Sequence, residues 1–408
     1  MKKSGRWLLL VLWMAGSAAA QDFGWRGDGS GRFPAAAPPT QWNIDEGAGI
    51  CWQTAVGRGA SSPVIAGQKV FITAEPALLV CLDRSGKVLW QADDGLANLP
   101  PGIPPPQKRA AAHRDCGYAT ATPVTDGRFV YASYGSGVVT CHDLDGKRQW
   151  LRLFDQEQES QYGRTASPLL AGDVLLVTVN HLIALRRQTG EPLWEAPDAK
   201  ATYGTPAAAR IGSVDVVFTP HGECVRLSDG RVLAKKLCKL EYTSPVVYEG
   251  TVYFVGPETF GMLLPESAGE QIKLARLWES DDVEGEFYAS PVCHEGILYC
   301  VSNQGNLYAL DAKSGALVYR QELDIPSASG KAGGPPANLY ASLTLAGRYL
   351  LACNDTGDAL VISPGRQYRK VSRNVLDKGS GASPVADGQL LLVRGGLKLY
   401  GLGSAGQR

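Results

Sequence analysis

Residues 288–323 read YASPVCHEGILYCVSNQGNLYALDAKSGALVYRQEL, and four short strands can be marked off in them. Ala289-Ser290-Pro291-Val292-Cys293 is the first, turned by Glu295-Gly296. Ile297-Leu298-Tyr299-Cys300-Val301 is the second, turned by Asn303-Gln304-Gly305. Leu307-Tyr308-Ala309-Leu310 is the third, turned by Lys313-Ser314-Gly315, and Leu317-Val318-Tyr319 is the fourth. Runs of β-branched, aromatic and leucine side chains broken by Gly and Asn turns predict an antiparallel four-stranded sheet of the size of one propeller blade.

The unit repeats. Ser/Thr-Pro pairs stand at Ser62-Pro63, Thr122-Pro123, Ser167-Pro168, Thr205-Pro206, Ser244-Pro245, Ser290-Pro291 and Ser383-Pro384, with proline gaps of 60, 45, 38, 39, 46 and 93. The last gap is double, and Tyr340-Ala341-Ser342-Leu343 falls at its middle as a degenerate copy. Eight units over the 357 residues from Trp52 average about 45 each, a blade-sized period. Proline is tolerated on an edge strand, as the innermost strand of a blade is, because no ladder N–H is required there.

A glycine followed four residues later by an aromatic also recurs: Gly86 to Trp90, Gly146 to Trp150, Gly190 to Trp194 and Gly315 to Tyr319. The glycine suits a tight turn, and the ring can wedge between blades. Unit four has Ala234 at the aromatic position. Unit five uses Trp278 after an extended connection from Leu264. The last unit, Ser383 to Leu402, holds only three strands. The stretch around Cys51-Trp52-Gln53 is expected to supply its fourth and to close the ring. The fold predicted is all-β: an eight-bladed propeller of four-stranded antiparallel blades over residues 50–402, preceded by an arm (21–49) and followed by a tail (403–408).

Composition agrees. The chain has 408 residues, 48 of them Gly and 25 Pro, and 44% are hydrophobic, which suits many short elements around a large core and argues against disorder. Acidic and basic residues number 40 each, so there is no basic excess for nucleic acid. Lys2, Lys3 and Arg6, an apolar run from Trp7 to Met14, and Ala18-x-Ala20 form a secretory signal (1–20), with cleavage expected after Ala20. A periplasmic or secreted monomer with no transmembrane anchor is expected. Nine cysteines, from Cys51 to Cys353, include no CxxC or adjacent pair, and the odd number leaves at least one thiol unbridged.

The segment Ala309 to Tyr319 resembles the tryptophan-docking repeat of the quinoprotein-like (PQQ-like) β-propeller family, with tyrosine in place of tryptophan. Ala184 to Trp194 is similar, with Arg186 where that family prefers aspartate. The resemblance covers residues 50–402. It implies either a cofactor-bearing dehydrogenase or a non-enzymatic propeller of the BamB-like branch. The enzymes of the family carry a vicinal disulfide, a tryptophan beneath the quinone and a Glu/Asn/Asp calcium site. No Cys-Cys pair is present here, no calcium triad can be matched, and the five repeat tryptophans all fall at or near docking positions, leaving none for a channel floor. The expectation is therefore a non-catalytic scaffold or binding protein of the bacterial cell envelope, without catalytic residues, cofactor or metal, whose partners are envelope proteins or an extended peptide. The alternatives are a divergent quinoprotein-like dehydrogenase using PQQ with calcium, and a carbohydrate or cell-surface binding module.

The stretches before each first strand should open at one mouth of the channel. They carry Tyr118, Tyr162, Tyr203, Tyr242, Tyr288 and Tyr340, with Arg109, His113, Arg114, Asp115, Arg164, Glu241 and Glu286 beside them. These are the candidate ligand-binding residues for a small molecule or glycan. Repeated tyrosines also serve as inter-blade packing with hydroxyls at the rim. Two long proline-rich connections, 92–117 and 324–338, should cover the same mouth as binding loops or stiff insertions. His113, His181 and His221 lie on one side, but in successive blades, too far apart to be expected to converge on a metal. No nucleophile-elbow, Walker or HExxH pattern occurs.

Overall fold

In a computed structural model, residues 23–114, 116–200, 202–330 and 336–403 are described. The expected signal segment and its cleavage site, Asp115, and Gly333 to Pro335 lie outside the described residues. Eight sheets are present. Seven blades span residues 64–93, 124–153, 169–200, 207–234, 246–279, 292–322 and 344–375, each with four antiparallel strands in chain order from the channel outward. The eighth holds Val385–Asp387, Leu390–Gly395 and Lys398–Leu402. Its outermost strand is Ile50–Ala55, paired antiparallel with Ile50 opposite Leu402 and Ala55 opposite Lys398. The only helical element among the described residues is one 3-10 turn, Leu96–Asn98.

The first strand of each blade begins later than the sequence pattern predicts. In blade 6 it is Val292–His294, and Ser290 and Pro291 precede it. The serine N–H is used elsewhere. Ser62 N–H donates to Thr122 Oγ1, Thr122 to Ser167, Ser167 to Thr205, Thr205 to Ser244, Ser244 to Ser290, Ser290 to Ser342, Ser342 to Ser383, and Ser383 back to Ser62, at 2.8–3.0 Å. Each blade thus hands one buried backbone donor to the next blade's hydroxyl, and the circuit closes. The proline that follows lacks an N–H and leaves no donor to satisfy before the ladder starts.

Tryptophans seal the joints farther out. Trp52, Trp90, Trp150, Trp194 and Trp278 each lie on the turn glycine of the following blade: Gly86, Gly146, Gly190, Gly230 and Gly315. Each indole N–H donates to a carbonyl of that turn, from Arg84, Leu144, Arg187, Leu227 and Ala312, at 2.8–3.0 Å. The glycines have φ of +70° to +91° and no room for a Cβ, so both backbone and packing require them. Where the repeat lacks an indole, other residues fill the joint. Ile272, from the extended connection after Leu263, packs against Leu233 and Ala234 between blades 4 and 5. Tyr319 meets Tyr368 edge-on between blades 6 and 7, with ring centroids 6.4 Å apart. Between blades 7 and 8 the joint is filled by Trp42 of the arm, 4% exposed.

The arm crosses the channel. Phe23 exchanges two backbone hydrogen bonds with Thr125 of blade 2, and Arg32–Phe33 pairs parallel with Leu345–Ala346 of blade 7. Between them lies Arg26, fully buried, donating to the carbonyls of Pro291 (2.7 Å) and Leu343 (2.9 Å). Ala37 then bonds Gly388, and the chain runs outward through Trp42 to the closing strand.

Candidate functional site

A cavity of about 570 Å³ occupies the channel on the side where the first strands begin. Its waist is the hydroxyl ring, since all eight Ser and Thr residues of the circuit line it. The blade joints set their positions: each hydroxyl belongs to the residue just before an innermost strand, where eight strands converge.

Above the ring stands an arc of aromatics. His113 meets Tyr162 edge-on at 4.9 Å, and Tyr162 meets Tyr203 at 5.3 Å. Tyr203 stacks on Tyr242 at 5.5 Å, Tyr242 meets Tyr288 at 4.8 Å, and Tyr288 meets Tyr340 at 5.1 Å. These six, with Arg114, line the cavity. The tyrosines therefore pack on one another and face the cavity at once. The Tyr288 hydroxyl donates to Glu286 Oε2 (3.1 Å), and burial together with that carboxylate pushes it up to about 12. Burial and Glu241 raise Tyr242 in the same sense. Both remain hydrogen-bond donors at neutral pH.

The other candidates sit elsewhere. Tyr118 belongs to the base of the long connection: its hydroxyl donates to the Ala110 carbonyl (2.6 Å), and it does not line the cavity. Arg164 is 8% exposed and donates to the Gln156 carbonyl (2.5 Å); burial lowers its pKa. Arg109, Glu241 and Glu286 are exposed outside the cavity lining. Glu75 was not legible as a site residue. Its Oε1 accepts from the N–H groups of Tyr118 (2.7 Å) and Ala119 (2.6 Å), fixing the long connection where it re-enters the ring.

The floor corrects the expectation that no tryptophan is left for one. Trp25 lines this cavity and also a second of about 310 Å³ on the other side of the arm, so its indole separates the two. Arg26 lies 5.2 Å from the Trp25 ring centroid. Burial lowers its pKa to about 9, opposed by Asp28, so it is a cation at neutral pH. Trp25 comes from the arm and not from a blade, which is why repeat spacing gives no sign of it.

No carboxylate among the described residues lines the cavity, and no group of three or more His, Cys, Asp and Glu among them could hold a metal ion. His181 and His221 pair separately with Glu195 and Glu223, each at 2.9 Å. Neither a Cys-Cys pair nor the Glu, Asn and Asp donors that the family's enzymes use for calcium are present among the described lining residues, and these residues do not fit that cofactor pair. Cys51, Cys81, Cys141, Cys224, Cys238, Cys293, Cys300 and Cys353 are free thiols.

The fold is shared with BamB from Moraxella catarrhalis at TM-score 0.62 and 12% identity, covering 88% of this chain and 98% of that one. It is shared also with the quinohemoprotein alcohol dehydrogenase of Comamonas testosteroni at TM-score 0.61 and 12% identity, covering 97% and 82%. A europium-containing methanol dehydrogenase aligns at TM-score 0.58 and 14% identity, covering 93% and 90%. At such identities these likenesses speak for the fold alone. No curated protein sequence matches the chain. Residues 39–255 and 275–407 match the family described as outer membrane protein assembly factor BamB, and with most of its length so matched, the chain belongs to that PQQ-like propeller family.

Proposed function

We propose that the chain is an exported, non-catalytic scaffold of the cell envelope that docks a partner protein or extended peptide on the mouth of its propeller. The observation that carries this reading is the mounting of residues 94–117. About half of this connection is exposed, yet its base is pinned by Glu75, by the Tyr118 hydroxyl, and by Gln107 N–H on Asp155 (3.3 Å). An exposed segment held on a rigid ring is how folds present binding loops. The family description fits such a role, and no helix among the described residues is long and apolar enough to cross a membrane.

The test replaces residues 100–106 with a Gly-Ser linker of equal length, keeping the anchors at the base. A photo-crosslinker at Leu317 on the outer edge and another at Tyr340 on the mouth are used in the native envelope. The expected result is a discrete crosslinked partner from Tyr340 that disappears in the linker variant at unchanged melting temperature. A partner captured from Leu317 alone, or one indifferent to the linker, would overturn the reading.

A further inference from the structure

The hydroxyl ring has a chemical consequence beyond joining blades. Each of its eight oxygens accepts a backbone N–H from the preceding blade, and none donates to a protein acceptor among the described residues. All eight residues are more than nine-tenths buried, and all eight line the cavity. A hydroxyl that accepts from an amide is polarised toward donation, and its single proton must go somewhere. The only place left is the cavity. The waist is thus a circle of proton donors.

Its surroundings have the same sign. The Tyr288 hydroxyl is spent on Glu286, outside the lining, and no carboxylate among the described lining residues competes as an acceptor. Beneath the floor, Arg26 places a buried cation against the Trp25 ring. Its hydrogen bonds go to two carbonyls, and its Nε and Nη1 have no partner. A buried cation without a hydrogen-bonded carboxylate leaves positive potential in a low-dielectric channel.

We infer that this cavity is a binding site for a small molecule carrying an oxyanion, a carboxylate or a phosphate, whose acceptor oxygens take protons from a sector of the hydroxyl ring while its body lies against the tyrosine arc. The volume suits a compact organic ligand. Arg114 is the one cation among the described lining residues, and the fixed neutral donors of the ring add to it, because hydrogen bonds to a charged acceptor are the stronger kind. The inference rests on the hydroxyl ring, and of the described residues of the docking connection only His113, Arg114 and Cys116 reach this cavity.

Removing a ring hydroxyl would also orphan a backbone N–H and endanger folding. The decisive substitution is therefore at Gly381. This glycine lines the cavity, and a Cβ there would meet only Ala60 and Tyr340 at 3.5 Å, an ordinary contact. Its φ is not in the left-handed region. Gly381→Asp puts a carboxylate in the cavity, and Gly381→Asn is its neutral match in size. The mature chain is titrated calorimetrically with inorganic phosphate, galacturonate and galactose.

The expected result is binding of phosphate or galacturonate, with galactose at least tenfold weaker. Gly381→Asp should weaken the bound anion at least tenfold, and Gly381→Asn less than threefold, both at wild-type melting temperature. The tighter of the two anions identifies the head group, and either supports the inference. Absence of binding of both anions at 10 mM would overturn it. So would galactose binding as tightly as galacturonate, or equal losses in the Asp and Asn variants.

Discussion

At the residue scale, the contact that fills five of the eight joints is the indole on the next blade's glycine. Trp278 is 7% exposed, donates to Ala312 at 2.8 Å, and covers Gly315, whose φ is +72°. Trp278→Ala should cost about 3–5 kcal/mol from lost burial and the hole left behind. Gly315→Ala should also destabilise, because its Cβ would stand inside the indole and its backbone is left-handed. The clash disappears once the indole is gone, so the double variant should lose less than the two single losses combined. Urea unfolding of the four proteins measures this, with a coupling of about 1–3 kcal/mol expected; additive losses would show that the two do not form one contact. The sequence made the tryptophans and glycines visible as a four-residue spacing. It did not show that each ring docks on the glycine of the following blade, because spacing records what lies along the chain, and the contact is made across it. Trp42 and Trp25 stand outside any repeat and gave no periodic signal.

At the scale of elements, the arm performs three tasks that a single deletion would mix. Residues 23–33 partition the channel, Trp42 fills the joint between blades 7 and 8, and Ile50–Ala55 completes blade 8. The register separates them. Gly403 N–H donates to the Gly49 carbonyl at 3.0 Å, so the end of one strand lies beside the start of the other. A permuted chain starting at Val56, with residues 49–55 attached after Gly403 through a short Gly linker, turns blade 8 into an ordinary hairpin array. That protein should fold to the same strand content and lose stability, through the exposed joint left by Trp42 and the vacated edge beside Leu345–Ala346. Circular dichroism with thermal melting reads both quantities. A permutant that fails to fold would mean that the channel-crossing segment is needed to form the ring. The eight blades were legible because each is a local pattern of alternating strands and Gly turns. The path of residues 23–49 was not, because it is fixed by contacts with blades 2, 7 and 8, all more than 90 residues away or across the ring.

At the scale of the whole molecule, the free thiols form a distributed reporter of ring integrity. Seven of them are spread over blades 1, 2, 4, 6 and 7, with Cys293 and Cys300 both in blade 6 and Cys238 just after blade 4, and burial pushes Cys81, Cys224, Cys238 and Cys353 up to about 12 and Cys141, Cys293 and Cys300 in the same direction, from an ordinary value of 9.0. Tyr253 and Tyr368 are held up to about 12 by burial as well. A group with a raised folded pKa binds its proton more tightly in the folded state. Its contribution is complete below the unfolded pKa and is lost as pH climbs through the folded one. Arg26 and Arg394 work in the opposite sense: burial lowers them to about 9 and about 10, so their cost falls at higher pH. With Arg164, lowered by burial as well, three guanidinium groups are outnumbered by seven thiols and several phenols. The melting temperature should therefore hold steady from pH 7 to 8.5 and fall continuously from pH 9 to 11. Cys300→Ala makes the cause testable, because removing one buried thiol should lower stability at pH 7 through lost packing while flattening the alkaline slope. Differential scanning calorimetry across that range decides the matter: a melting temperature that rises above pH 9 would mean the buried arginines, and not the thiols and phenols, govern how the ring responds to proton loss.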